Sequence, residues 1–372
     1  MTALLCCAIV TALSGHPQTK PPDVYASAIA SYVAGDFDAA AQLLGQLQPR
    51  DITREVEARV AAHRRFGATT AARRQFEAAA MLHTEYALYV DVDDAQALFH
   101  LETAHLLLTD ARAQLNRLNA SGAPLFAPAD VAEAERARDY LHHWYILAPA
   151  VILPRGLSRD ARTLVNEAAK LFPRDTQIAF HRALVTEFEA VWEPRRSSDP
   201  QSQFRPNVDA SGFDLVANTL HWGELVSTYR DILAADRDNH EARLHLAYAL
   251  ISLRRPNDAR PELEMVRQRA ADPYVLYLAS LFLGRMDEGD HRLDAAARAY
   301  ERALEVGPRY QSAYLALSLL EDRRGNAARA QEVVARFVAL PRRDRERDPW
   351  WDYHTSRLPQ ADLDWLRRQV RQ

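Results

Sequence analysis

From residue 21 onward, apolar side chains recur at spacings of three and four over most of the chain, the period of a helix with one buried face. Leu98, Leu101, His105, Leu108, Ala111, Leu115 and Leu118 mark one such face and predict a single long helix. It opens at "VDVDDAQ", whose aspartates suit the cap and the positive end of the helix dipole. The run "YILAPAVIL", 145–153, is apolar enough to suggest a strand. Pro149 and Pro154 point instead to a helix end followed by an extended turn. A stretch rich in Pro, Ser and Asp, 193–212, reads as a surface loop, either functional or a tolerated insertion.

The helical pattern repeats. In residues 280–308, Leu283 and Gly284 are followed by Ala296, Tyr300, Ala303 and Pro308. A shift of about 34 residues finds Tyr314, Leu317 and Ser318, then Ala330, Val334 and Phe337. A backward shift finds Leu246 and Ala247, then Ala259 and Leu263. A small residue in each helix lets the two axes approach, and the larger residue fills the groove to the neighbouring helix. This scheme resembles the tetratricopeptide repeat, a helix–turn–helix unit with the pattern W-x2-L-G-x2-Y, A-x3-F, P. Arg243 and Ser280 replace the first aromatic, while Leu250, Asp287 and Glu321 occupy the tyrosine slot. Weaker matches occur at Gly35, Phe37, Ala40 and Leu44, at Ala161, Val165, Ala168 and Pro173, and at Leu225 and Tyr229.

The resemblance implies an all-α, right-handed helical-repeat solenoid. Residues 240–341 form its clear repeats, 151–239 weaker ones around the polar loop, and 21–150 a helical region with one repeat and degenerate units. Residues 342–372 are expected to form a C-terminal capping segment, because a repeat array must shield its terminal face.

Residues 1–20 stand apart. Ala3 to Leu13 is a run of 11 residues, apolar except for Thr11, followed by small and turn-forming residues. The length suits an export signal with cleavage near Ser14 or Gly15, although a basic leading region is missing. A short buried helix is the other reading. Export would place the protein in the periplasm or outside the cell; otherwise it is cytoplasmic. No later segment is apolar for long enough to span a bilayer, so no integral membrane span is expected after signal removal.

Composition narrows the chemistry. A net charge of −4 carries no nucleic-acid footprint. Of 46 basic residues only Lys20 and Lys170 are lysine, a bias that fits a GC-rich bacterial genome. Cys6 and Cys7 fall in the N-terminal run, which leaves the rest of the chain without thiolate sites. Phosphate-binding, dinucleotide, nucleophile-elbow and H-E-x-x-H motifs are all missing, so no cofactor, metal or catalytic residue is assigned.

Histidines at 100 and 105 lie about 140° apart on a helix and do not share a metal-binding face. The pair in "HEARLH", 240–245, fails on the same geometry, and His142 and His143 point in different directions. Asp290, His291 and Asp294 fall in a repeat turn, where polar residues are expected. "RRDRERD", 342–348, mixes its charges and reads as a solvated helix end.

The leading expectation is a protein-interaction scaffold that binds a protein or peptide along the concave face of its first helices. Arg243, Tyr248, Asp287, Tyr314 and Glu321 are its candidate contacts. Two other classes stay open: an enzyme with a pocket between the 98–145 helices and the 193–212 loop, and a self-assembling architectural protein. The stretch "DPWWDYHTSRLP", 348–359, reads first as a lid on the terminal repeat. Leu363, Leu366 and Val370 would hold the final helix on the preceding repeat. Trp350, Trp351 and Tyr353 are alternatively an aromatic docking point for the partner.

Overall fold

The computed structural model describes residues 23–66, 69–121, 128–192, 219–341, 348–353 and 357–371, and every regular element among them is helical. The N-terminal run and the 193–212 loop lie outside the described residues. The chain divides into two units, residues 1–67 and 68–372.

The first unit contains α1 (Val24–Val33), α2 (Phe37–Gly45) and α3 (Pro49–Phe66). Asp23 and Asp36 cap α1 and α2 by accepting from the N–H groups of Ala26 and Ala39, each at 2.9 Å. Tyr25, Ala28 and Tyr32 are buried on α1, Ala40 and Leu44 on α2, and Ile52 and Val56 on α3.

The second unit runs α4 (Thr70–Tyr89), α5 (Asp94–Leu107), α6 (Thr109–Ser121), α7 (Pro128–Ile152), α8 (Ser158–Leu171), α9 (Thr176–Trp192) and α10 (Thr219–Ala235). Three hairpins follow: α11 (His240–Ser252) with α12 (Pro256–Arg269), α13 (Pro273–Gly289) with α14 (Leu293–Val306), and α15 (Gln311–Arg323) with α16 (Ala327–Val338). The short α17 (Pro349–Asp352) and α18 (Gln360–Val370) end the described chain.

One turn chemistry closes all three of these hairpins. Arg254, His291 and Gly325 take the left-handed conformation, with φ of 60°, 58° and 80°. In each turn the next N–H reaches back to the first helix: Arg255 to Leu250, Arg292 to Asp287, and Asn326 to Glu321, at 2.9, 2.7 and 2.8 Å. This is the Schellman arrangement, which satisfies carbonyls that a helix end leaves orphaned. The α1–α2 turn repeats it through Gly35, with Asp36 N–H bonded to the Ser31 carbonyl.

Within the hairpins, Leu246, Ala247, Ala259, Leu263, Leu283, Ala296, Tyr300 and Leu317 are buried. At Gly284 an added Cβ would stand 2.4 Å from Tyr300 Cε1, so the ring lies directly on the glycine backbone. Ala330 is buried and Ser318 half-buried, while Pro308 is exposed at the turn after α14.

Four expectations differ from the structure. The helix predicted across 98–118 is two helices, α5 and α6, broken at Leu108. There the Thr109 hydroxyl donates to the Leu106 carbonyl at 2.7 Å and competes for a group that a continuous helix would use. Conversely, α7 passes through Pro149 and ends only at Ile152, because the buried run from Trp144 to Leu153 is held on several sides. Val334, expected to fill a groove, is 40% exposed, and Val333 is the buried residue of that turn. No later helix among the described residues lies over α16: α18 packs on α7 and α4 instead of on the preceding repeat. On the last hairpin Leu319 is 61% and Val338 63% exposed. Among the described residues no helix is long and apolar enough to cross a membrane.

Candidate functional site

Residues 348–353 and 357–371 bring a distinctive chemistry together among the described residues. Asp348 accepts from the Tyr277 hydroxyl at 3.2 Å and from the backbone N–H of Ser312. It is thereby held in the first turn of α15, where free N–H groups and the helix dipole favour a carboxylate. The same carboxylate caps α17 through the Trp350 N–H at 2.9 Å. Trp350 lies edge-on to Phe282 of α13, ring centres 5.5 Å apart, with the Arg285 guanidinium over its indole at 5.3 Å.

Tyr353 enters a socket built by α11 and α13. Its ring stacks on His245 at 4.6 Å and 12°, and meets Tyr248 at 5.1 Å and Phe282 at 5.2 Å. The floor of that socket is polar and buried. Glu187 of α9 lies 3.0 Å from His245 Nδ1 and accepts from the Tyr229 hydroxyl at 2.8 Å. Burial first, and the Glu187 charge second, push the phenols of Tyr229 and Tyr353 well above the usual tyrosine range. Both therefore stay neutral donors at any ordinary pH. Arg357 completes the path with Asp272 at 2.7 Å, Glu241 at 3.6 Å and the face of Tyr274 at 4.9 Å.

Beyond this seat, α18 is fixed by a separate set of contacts. Leu363, Leu366 and Val370 are buried. Asp362 lies 2.7 Å from His143 Nδ1, Trp365 stacks on that imidazole at 4.0 Å, and Arg367 makes two bonds to buried Glu85, at 2.6 and 2.9 Å.

Of the five first-helix candidates, Tyr248 touches the described part of the returning segment, through Tyr353. Arg243 is spent on Glu262 of α12, at 2.6 Å, and on the Arg237 carbonyl. Asp287 accepts from Arg260 and Arg292, and Glu321 from Arg324 and Asn326, so both fasten repeat turns. The Tyr314 hydroxyl donates to the Pro308 carbonyl. Trp350 and Tyr353 lie in the seat; the side chain of Trp351 is outside the described residues. Tyr277 and Phe282 were not singled out by sequence reasoning, and His245 was weighed only as half of a metal pair, since aromatic and histidine residues at helical spacing read equally well as core.

The 98–145 helices contribute to a small pocket between α4, α6 and α7, lined by Arg73, Glu77, Asp110, Gln114 and Arg136. Its charges are matched: Arg136 with Glu77 at 2.7 Å and Glu133 at 2.8 Å, Arg73 with Asp110 at 3.3 Å. Burial raises the Glu77 carboxyl, with Arg136 opposing. Among the described residues no group of three or more His, Cys, Asp or Glu is placed to hold a metal ion.

Residues 226–281, which span α11 and α12 and parts of α10 and α13, match the family model of the tetratricopeptide repeat. No curated protein matches the sequence. Similar solved structures include "MamA 41-end from Desulfovibrio magneticus RS-1", at 18% identity and a TM-score of 0.37, covering 53% of this chain and 93% of that one. The "Human IFIT1 dimer with m7Gppp-AAAA" shows 13% identity and a TM-score of 0.34, covering 82% of this chain and 71% of that one. The family model matches the first of three successive helix–turn–helix units that one recurring turn closes, so this all-α stretch is a run of tetratricopeptide-like repeats, a fold suited to a protein-interaction scaffold.

Proposed function

We propose that the protein is a non-enzymatic scaffold in the bacterial envelope, and that it binds a partner protein or peptide along the face formed by the first helices α11, α13 and α15. One observation carries the reading: this face already holds a short stretch of polypeptide through side-chain sockets for an acid, two aromatics and an arginine. A face that seats one short segment through side-chain sockets has the chemistry to seat another. The envelope location rests on the N-terminal apolar run alone.

Photocrosslinking in intact cells tests both halves. A photoreactive residue replacing Arg285, beside the seat, should capture a partner that one replacing Arg298 on α14 does not, and the adduct should fractionate with the periplasm. Capture only from position 298 would remove the binding face from the proposal. An adduct confined to the cytoplasm would remove the envelope.

A further inference from the structure

We propose that Asp348, Trp350, Tyr353 and Arg357 are a built-in competitor: they occupy the partner's seat, and the partner is a protein segment of the same chemistry, an acidic residue followed two positions later by one aromatic and five positions later by another. This rests on the scaffold reading and specifies its ligand.

Three observations point this way. First, the sockets are made by the array without help from the tail. Glu187, His245 and Tyr229 hold one another, and the Tyr277 hydroxyl accepts from the Ala313 N–H at 3.2 Å. The polar groups of the seat are thus bonded to the array as well as to the tail. Second, the tail contributes little structure of its own there. α17 spans only four residues, so its affinity comes from side chains entering sockets. Third, charge is complementary at both ends, with Asp348 on the helix N-terminus and Arg357 between Asp272 and Glu241. A covalently permanent core element needs none of this alternation; a recognition segment does.

The tether sets the balance. A segment held close to its site by short connections experiences an effective concentration on the order of millimolar. If its intrinsic Kd is about 10 µM, the seat is closed about 99% of the time, and a free competitor binds about 100-fold more weakly than to an open seat. Weakening the tail must then strengthen binding in trans, a gain of function that damage to the fold cannot imitate.

The probe is a fluorescent peptide of residues 347–358, titrated into full-length protein by fluorescence polarisation. The full-length Trp350→Ala/Tyr353→Ala variant should bind it about 100-fold more tightly than wild type. A peptide with alanine in place of the acid, and a scrambled peptide, should lose at least about tenfold. Arg357→Glu, an exposed change that keeps both aromatics, should give a smaller gain of about fivefold and serves if the double variant does not fold. Saturating peptide should also accelerate hydrogen exchange at 350–353 while α13 stays protected. A folded variant that binds the peptide no better than wild type overturns the proposal. So does concentration-dependent dimerisation of the variants with wild type, which would make a second copy the occupant. If the peptide fails while position 285 still captures a partner, only the competitor falls; if the peptide binds but no partner is captured, the scaffold reading falls.

Discussion

Gly284 illustrates how one absent Cβ positions a helix pair. The Tyr300 ring, fully buried, rests where that Cβ would be, and its hydroxyl donates to Glu288 at 2.7 Å. Gly284→Ala must push the ring aside or separate α13 from α14, and a cost of about 1–3 kcal/mol is expected. Chemical denaturation would show it as a lower midpoint; an unchanged midpoint would mean the ring moves freely. The glycine and the tyrosine were readable from the repeat scheme. The work of Asp287 and Glu321 was not, because a carboxylate in the tyrosine slot looks like surface chemistry until the turn five residues later is seen. There Asp287 accepts from Arg292, and Glu321 from Asn326, which locks the chain's left-handed step.

At the scale of elements, the α4–α5 pair carries a feature with a pH signature. His83 and His100 face each other across the pair, Nδ1 to Nδ1, at 2.7 Å, both buried. Burial pushes His100 down to about 4, and burial with the His100 charge pushes His83 well below the usual histidine range. Above pH about 6.5 both are neutral whether the chain is folded or not. As pH falls from there towards 4, the unfolded chain takes up protons that the folded chain refuses, so stability drops through that window. Each unit of depression corresponds to about 1.4 kcal/mol. A His83→Leu/His100→Leu variant should therefore lose less melting temperature than wild type between pH 7 and 4.5; parallel curves would assign the acid sensitivity elsewhere. Repetition made the hairpins of 240–341 legible in the sequence. Single events outside it were not, such as the Thr109 hydroxyl that breaks α5 from α6, or the packing that carries α7 through Pro149.

At the scale of the second unit, the last helix binds the first part of that unit. Glu85 is 1% exposed, and Arg367 supplies it with a two-bond partner. Arg367→Ala would leave a buried carboxylate undercompensated, at a cost of about 3 kcal/mol; Glu85→Leu with Arg367→Met should restore most of it, and a melt of the pair against the single change decides the matter. The return of this tail is the part of the candidate site least visible in the sequence. An aromatic cluster suits a terminal lid and an inner-face segment equally, and a contact across 282 residues leaves no local pattern. It also alters how the array must fold. A solenoid whose units touch only their neighbours can nucleate anywhere and fray from either end. Here Arg367 joins Glu85, and that closure raises the contact order and ties distant repeats into one cooperative block. Release of the tail is then the event that returns the molecule to nearest-neighbour behaviour, in which single repeats open one at a time.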